Sequence, residues 1–278
     1  GAYGISIMTQ NGANHTPITI TSTVEGNTIT GSDYGYGLYL GSYDSPTYSY
    51  ENTTINNNTF SNLDYGIIAD DPSASNTTIT GNIISNTTAA GAGVEFGNYG
   101  AINLNTCLIN SNNFTGNAYY NVYVTSGTGT LNATCNWWGS TVPATIASKI
   151  NGSVTYIPYS ISDGGACTGY PVVVRRSGTF ISGHTTIQAA ITAGTTLSGD
   201  VIYVAAGTYD EIVTINKAIT LKGPNEGIDP NTGSRGLEAI LVSSPQPAGT
   251  NQKTQWHVLA NNVVIDGFYF DGSLYGSC

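Results

Sequence analysis

The chain has 278 residues, of which only 9% are charged, and 7 Lys+Arg against 17 Asp+Glu give a formal charge of −10. That balance argues against nucleic acid, which needs a basic footprint, and against anionic membrane surfaces. With 40% hydrophobic residues the chain is no disordered polar tract, and no run of 18 apolar residues could cross a bilayer as a helix. Its abundance of Gly, Asn, Thr, Ser and Tyr suits an extracellular β-rich protein.

The sequence opens on Gly1-Ala2-Tyr3-Gly4-Ile5-Ser6-Ile7, a strand entered with no cap before it. Between residues 24 and 138 one phrase then recurs five times, an Asn ahead of an apolar residue. Its members are Asn27-Thr28-Ile29, Asn58-Thr59-Phe60, Asn82-Ile83-Ile84, Asn113-Phe114 and Asn136-Trp137. A second apolar run follows each of the first four: Gly37-Leu38-Tyr39-Leu40, Gly66-Ile67-Ile68-Ala69, Gly93-Val94-Glu95-Phe96 and Asn121-Val122-Tyr123-Val124. A motif recurring at such a period marks a solenoid, whose units bury their apolar faces only by stacking on neighbours. The runs are short, β-branched and aromatic, and Gly, Asn and Ser separate them, so the unit is made of strands. Coils of about 22 to 25 residues with three short strands predict a parallel β-helix. Coils about 4.8 Å apart would place Asn27, Asn58, Asn82, Asn113 and Asn136 over one another as an amide ladder. The same register would put Asp33 on Asp64 and Tyr34 on Tyr65.

The phrase ends at Asn136-Trp137-Trp138-Gly139, followed by a predicted short helix from Pro143 to Ile150 and a strand from Val154 to Pro158. Residues 161–180, with Asp163-Gly164-Gly165 and Pro171, read as a linker. Residues 181–278 begin with an amphipathic turn at Thr186–Ile191. Strand-like Asp200–Ala205, Gly207–Glu211, Ile212–Ile215 and Lys217–Gly223 follow, then a long loop from 224 to 255 and Val263–Phe270.

The coil pattern resembles the right-handed parallel β-helix superfamily with the pectin-lyase-like fold, and within it the short β-helix repeats of bacterial and archaeal surface proteins. The Asn-Trp-Trp-Gly, helix and Val-x-Tyr-x-Pro series resembles the C-terminal finish of such domains. Residues 181–278 resemble their N-terminal cap and first coils. The resemblance therefore implies an all-β solenoid with short capping helices, numbered out of phase: residues 1–160 are the back half and 181–278 the front. Gly4, Ile5 and Ile7 at one end and Phe268, Phe270 and Cys278 at the other then read as two halves of one coil. They would meet within one chain, as in a circular permutant, or between units of an array, where a non-closing contact builds a filament. The scaffold hosts lyases, hydrolases, esterases, adhesins and spacers, so the fold alone names no activity.

A lyase would need an Arg or Lys as base on the repeat, and none occurs between residues 1 and 148. A glycoside hydrolase needs two carboxylates, for which Asp70 and Asp71, with Asp44, Glu51 and Glu95, are the candidates; a solvated acidic corner is the plainer reading. Asp33, Asp64, Asp70 and Asp71 are the candidate calcium ligands, although no cofactor is otherwise implied. Tyr34, Tyr36, Tyr43 and Tyr65 are candidates for contact with glycans, the alternative being that tyrosine simply favours strands. Trp137 and Trp138 read as an end plug. Cys167 and Cys278 suit disulfides, whereas Cys107 and Cys135 read either as disulfide partners or as buried free thiols. Eight Asn-x-Ser/Thr sequons occur, among them Asn113, which a ladder position would hide.

The chain is thus read as an extracellular, cell-surface structural unit that partners itself head to tail, with glycan adhesion at its tyrosine corners. It is read as no enzyme. The alternative is a polysaccharide-acting hydrolase or lyase, or a carbohydrate-binding module.

Overall fold

The computed structural model describes residues 2–9, 18–31, 35–42, 49–89, 91–242 and 256–271. The protein is all-β with few helical turns and several parallel sheets, an architecture compatible with a solenoid. It divides into two compact units, residues 1–141 with 145–169, and 142–144 with 170–278.

In the first unit the chain visits three sheets in turn. The first sheet runs Ala2–Thr9, Gly35–Ser42, Tyr65–Ala69, Ala92–Phe96, Tyr120–Val124 and Ile150–Asn151. The second runs Ile18–Glu25, Ser49–Asn56, Thr78–Thr80, Leu108–Asn110, Leu131–Asn132 and Val154–Thr155. The third holds Thr28–Thr30, Thr59–Ser61, Ile83–Ser85 and Asn113–Thr115. Every pairing among these strands is parallel, so each strand lies on its counterpart from the previous turn. Inward residues stack in files. Leu38, Ile67, Val94 and Val122 form one, Ile55, Ile79, Ile109 and Ala133 a second, and Phe60, Ile84 and Phe114 a third, all fully buried. Each such side chain larger than alanine, removed from water, contributes about 1.5–3 kcal/mol. Trp138 closes the third file by stacking on Phe114 at 4.9 Å.

Asparagine side chains join the coils at the turn between the second and third sheets. Asn27 Nδ2 donates to Asn58 Oδ1, Asn58 to Asn82, Asn82 to Asn112 and Asn112 to Asn136, each at 3.0 Å. The backbone N–H of each donor residue bonds the same oxygen at 2.9 Å. The expected position Asn113 is corrected to Asn112. Asn113 lies within the strand, paired with Ile83 on one side and Trp137 on the other, half-exposed and outside this series. The repeating phrase is therefore Asn, any residue, then an inward apolar residue, because the turn needs one residue before the strand can bury its side chain.

Residues 161–180, expected to be a linker, are divided between the units. Residues 161–169 belong to the first, where a Cys135–Cys167 disulfide and backbone bonds between Tyr159 and Gly169 hold them. Val172–Arg176 is a strand of the second unit, because Val172 and Val174 alternate into its core. Cys135, one of the two thiols left open, is thus bonded, and Cys107 is a buried free thiol. Cys278 lies outside the described residues.

The second unit pairs Val172–Arg176 antiparallel with both Thr179–His184 and Val201–Val204, and continues parallel through Thr220–Lys222 to Val264–Asp266. Gly207–Asp210, Ala239–Val242 and Phe268–Phe270 form another parallel sheet, and Val213–Ile215 pairs with Trp256–Val258. The helix Ile187–Thr192 starts where Thr186 Oγ1 accepts from Ala189 N, and it buries Ile187, Ala190 and Ile191.

Candidate functional site

The outer face of the first sheet carries the densest set of functional side chains. Tyr3, Tyr36 and Tyr65 occupy equivalent positions on three successive strands, with ring centroids 5.1 and 5.4 Å apart and nearly parallel planes. Immediately after Tyr36 and Tyr65 stand Gly37 and Gly66. A Cβ on Gly37 would fall 2.3 Å from the Gly66 carbonyl oxygen, so only glycine lets adjacent coils approach here. Leu38 and Ile67 then turn into the core. Tyr39 lies beside Tyr3, with centroids 5.1 Å apart.

These rings border a shallow groove of about 110 Å³ that Asp70, Glu95, Asn98 and Tyr99 complete. The Asp70 side chain is almost fully buried; its Oδ2 accepts from the Tyr39 hydroxyl, and its Oδ1 is buried without a partner of good geometry. Burial pushes the Asp70 carboxyl above the usual range, with Tyr39 and Asn98 opposing. The Tyr39 phenol is held far above its ordinary value by burial and then by Asp70. Glu95 Oε1 accepts from Thr125 Oγ1 at 2.9 Å, and burial raises this carboxyl too. On the second sheet, Glu51 is fully buried and pushed up to about 8, first by burial and then by the Asp71 charge.

The four carboxylates expected to hold calcium meet different fates. Asp71 has both oxygens occupied: Oδ2 accepts from Ser42 N and Oγ at the end of the neighbouring strand, and Oδ1 from Ser73 N and Oγ of its own turn. Asp64 Oδ1 accepts from Thr88 Oγ1. Asp70 faces the groove, and Asp33 lies outside the described residues, as do Tyr34 and Tyr43. Among the described residues no three His, Cys, Asp or Glu side chains converge as metal ligands do. Tyr36 and Tyr65 are in the groove, but Tyr3 and Tyr65 cover the two faces of the Tyr36 ring. What Tyr36 presents is an edge and a hydroxyl. Tyr3, Tyr39 and Asn98 join the groove although their sequence positions did not mark them. The available signal was the alternation of outward Tyr39 with inward Leu38 and Leu40.

Of the residues expected at the assembly ends, Ile5 and Ile7 are half-buried and Gly4 is exposed. Phe268 and Phe270 each meet the Trp256 ring edge-on at 5.3 Å, and Phe270 is 47% exposed. Among the described residues no strand pairs with the outer edges of Ala2–Thr9, Ile18–Glu25 or Thr28–Thr30. The same holds for Val264–Asp266, Phe268–Phe270 and Trp256–Val258.

No protein-family model matches the chain, and no solved structure matches it. Over 92 residues, 33% of its length, the chain is 33% identical to a cell surface glycoprotein of Methanothermus fervidus. The match spans 13% of that relative, so the chain covers only a small part of it. The likeness is consistent with a role in a cell-surface protein. Among the described residues no helix is long and apolar enough to cross a membrane.

Proposed function

We propose that the chain is an extracellular structural unit of a cell-surface fibre, sheath or layer. Its coils form a right-handed parallel β-helix of the pectin-lyase-like type, and their open faces stack head to tail. The observation that carries this reading is the asymmetry of the asparagine series. Asn58, Asn82, Asn112 and Asn136 are buried, and each Oδ1 accepts two bonds from the coil before. Asn27 is exposed, donates in the same direction and has no donor on its own Oδ1 among the described residues. The series thus offers an acceptor, beside three unpaired strand edges, to one further coil. Unpaired edges of this kind template strand addition.

Contact with glycans is the second reading, favoured by the hydroxyl and carboxyl oxygens around Asp70 and Glu95. A hydrolase would need one carboxyl held ionised beside one held protonated, whereas burial pushes both of these upward.

Sedimentation of the purified chain over a concentration series, with electron microscopy of the same samples, tests the assembly. End-to-end particles that grow with concentration are expected, and Ile7→Asp or Phe270→Asp should reduce them to monomers. Monomers at every concentration in the unaltered chain would overturn the head-to-tail reading.

A further inference from the structure

The third sheet carries a second recess, remote in chemistry from the tyrosine groove. Its inward file of Phe60, Ile84, Phe114 and Trp138 leaves an outward row of Thr59, Ile83, Asn113 and Trp137 at the neighbouring positions. A loop folds over the end of this row and is pinned at several points. Ser160 N donates to Asn136 O and Ser160 Oγ to Cys135 O, Tyr159 and Gly169 exchange backbone bonds, and Cys135 is joined to Cys167. The tip of the loop, Asp163-Gly164-Gly165, faces Ile83, Asn113 and Trp137 across a cavity of about 380 Å³. Natural small-molecule sites start at roughly 300 Å³.

The lining has a definite chemistry. Ile83 is 43% exposed, a large apolar side chain with no core to fill. Trp137 has no aromatic partner among the described residues, unlike Trp138, whose ring is taken up by Phe114. Asn113 Oδ1 accepts from Thr115 Oγ1, which leaves its amide hydrogens to offer a ligand. Asp163 is exposed, with no hydrogen bond or ion pair among the described residues, and is an acceptor in waiting. Among the described residues no Lys or Arg lines the cavity, so an anionic ligand meets one carboxylate and no counter-charge there. A purely hydrocarbon ligand would leave Asp163 and Asn113 unmatched. A pyranose matches on both counts, with an apolar face for the ring and hydroxyls around its rim.

We propose that this cleft binds a neutral saccharide of one or two residues, laid against Trp137 and Ile83, with its hydroxyls donating to Asp163 and its oxygens accepting from Asn113. The disulfide-tethered loop forms the wall that holds Asp163 in place. The inference stands apart from head-to-tail assembly and from the tyrosine groove.

Titration calorimetry and tryptophan fluorescence with cellobiose, maltose and N,N′-diacetylchitobiose test it on the intact chain. At least one disaccharide should saturate the protein at concentrations up to about 20 mM. Trp137→Ala should weaken that binding about tenfold or more and Asp163→Asn several-fold, both on the outer surface and checked for an unchanged melting temperature. Cys167→Ser should weaken it as the loop loosens, while Tyr36→Ala leaves it intact. Digalacturonic acid should bind at least about tenfold less tightly. No saturable binding of any neutral disaccharide would overturn the proposal. So would binding untouched by both Trp137→Ala and Asp163→Asn, or an equal affinity for the acidic disaccharide.

Discussion

The two units solve the same problem, joining one coil to the next, with different chemistry. In the first, turns are tied by neutral amides from Asn27 to Asn136, and no Lys or Arg occurs before Lys149. Lys149 itself caps two carbonyls, Asn117 O and Ala118 O, at 2.9 Å. In the second, charged groups tie the chain instead, one pair between neighbouring strands and two within a single turn. Arg176 holds the buried Asp200 through two bonds, Arg235 grips Glu238 the same way, and Lys222 pairs with Glu226. Glu211 accepts from Ile187 N and Gln188 N at the start of the helix. An amide column is indifferent to salt and pH, but each member is shared by two coils and cannot be lost singly. An ion pair is local and replaceable, but it titrates. The two units should therefore fail under different insults.

The largest effect belongs to the column. Asn82 accepts from Asn58 N and Nδ2 and donates to Ile55 O, Thr80 O and Asn112 Oδ1. Asn82→Ala leaves several of these groups buried without partners and should cost the first unit about 2–4 kcal/mol. Asn113→Ala, one residue from the column at its next turn, should stay within about 0.5 kcal/mol. Urea denaturation followed by far-UV circular dichroism separates the two. Equal losses would show that the column is not what joins the coils.

Acidity should move the units in opposite directions. Glu51, Asp70 and Glu95 have carboxyl groups pushed up in the folded first unit. The folded state keeps protons that the unfolded chain has released above about pH 4. The stability they contribute is present below that pH and is lost as pH rises, for Glu51 through about 8. In the second unit Arg176 lowers Asp200 and Arg235 lowers Glu238, so their contribution is full above the ordinary carboxylate range and is lost in acid. Calorimetry from pH 3 to 9 should show the first unit's transition rising as pH falls from 8 to 5 and the second unit's falling below about pH 4. Glu51→Gln should flatten the first trend and Arg176→Met the second.

Much of this division was legible in the sequence, and the places where it was not share a cause. The coil phrase and the inward files could be read because periodic apolar positions reflect burial, which is repeated at every turn. Asn112 was missed for Asn113 because two asparagines precede Phe114, and only the coil-to-coil bonds tell the buried one from the strand residue. Asp70 and Glu95 come from neighbouring strands of one sheet, yet a loop of uncertain length between strands hides which residues share a face. The Cys135–Cys167 pairing and the loop it pins were illegible for a related reason. Nothing in Asp163-Gly164-Gly165 distinguishes a free linker from a turn fastened at both ends. Periodicity reveals what repeats, and a site is built from what does not.

The smallest effect should come from the exposed pair Lys222–Glu226, although its 2.6 Å separation is the shortest among the ion pairs. Both side chains are substantially exposed, so water and salt screen the attraction and ordering two long side chains offsets most of it. Glu226→Gln should leave the second unit's melting temperature within measurement error, in low salt and in high. Arg176→Met should lower that temperature clearly, because Asp200 is buried and would keep only its bond from Leu197 N. If the two substitutions proved equally mild, charge would merely decorate the second unit, and the contrast with the amide-bonded coils would reduce to composition.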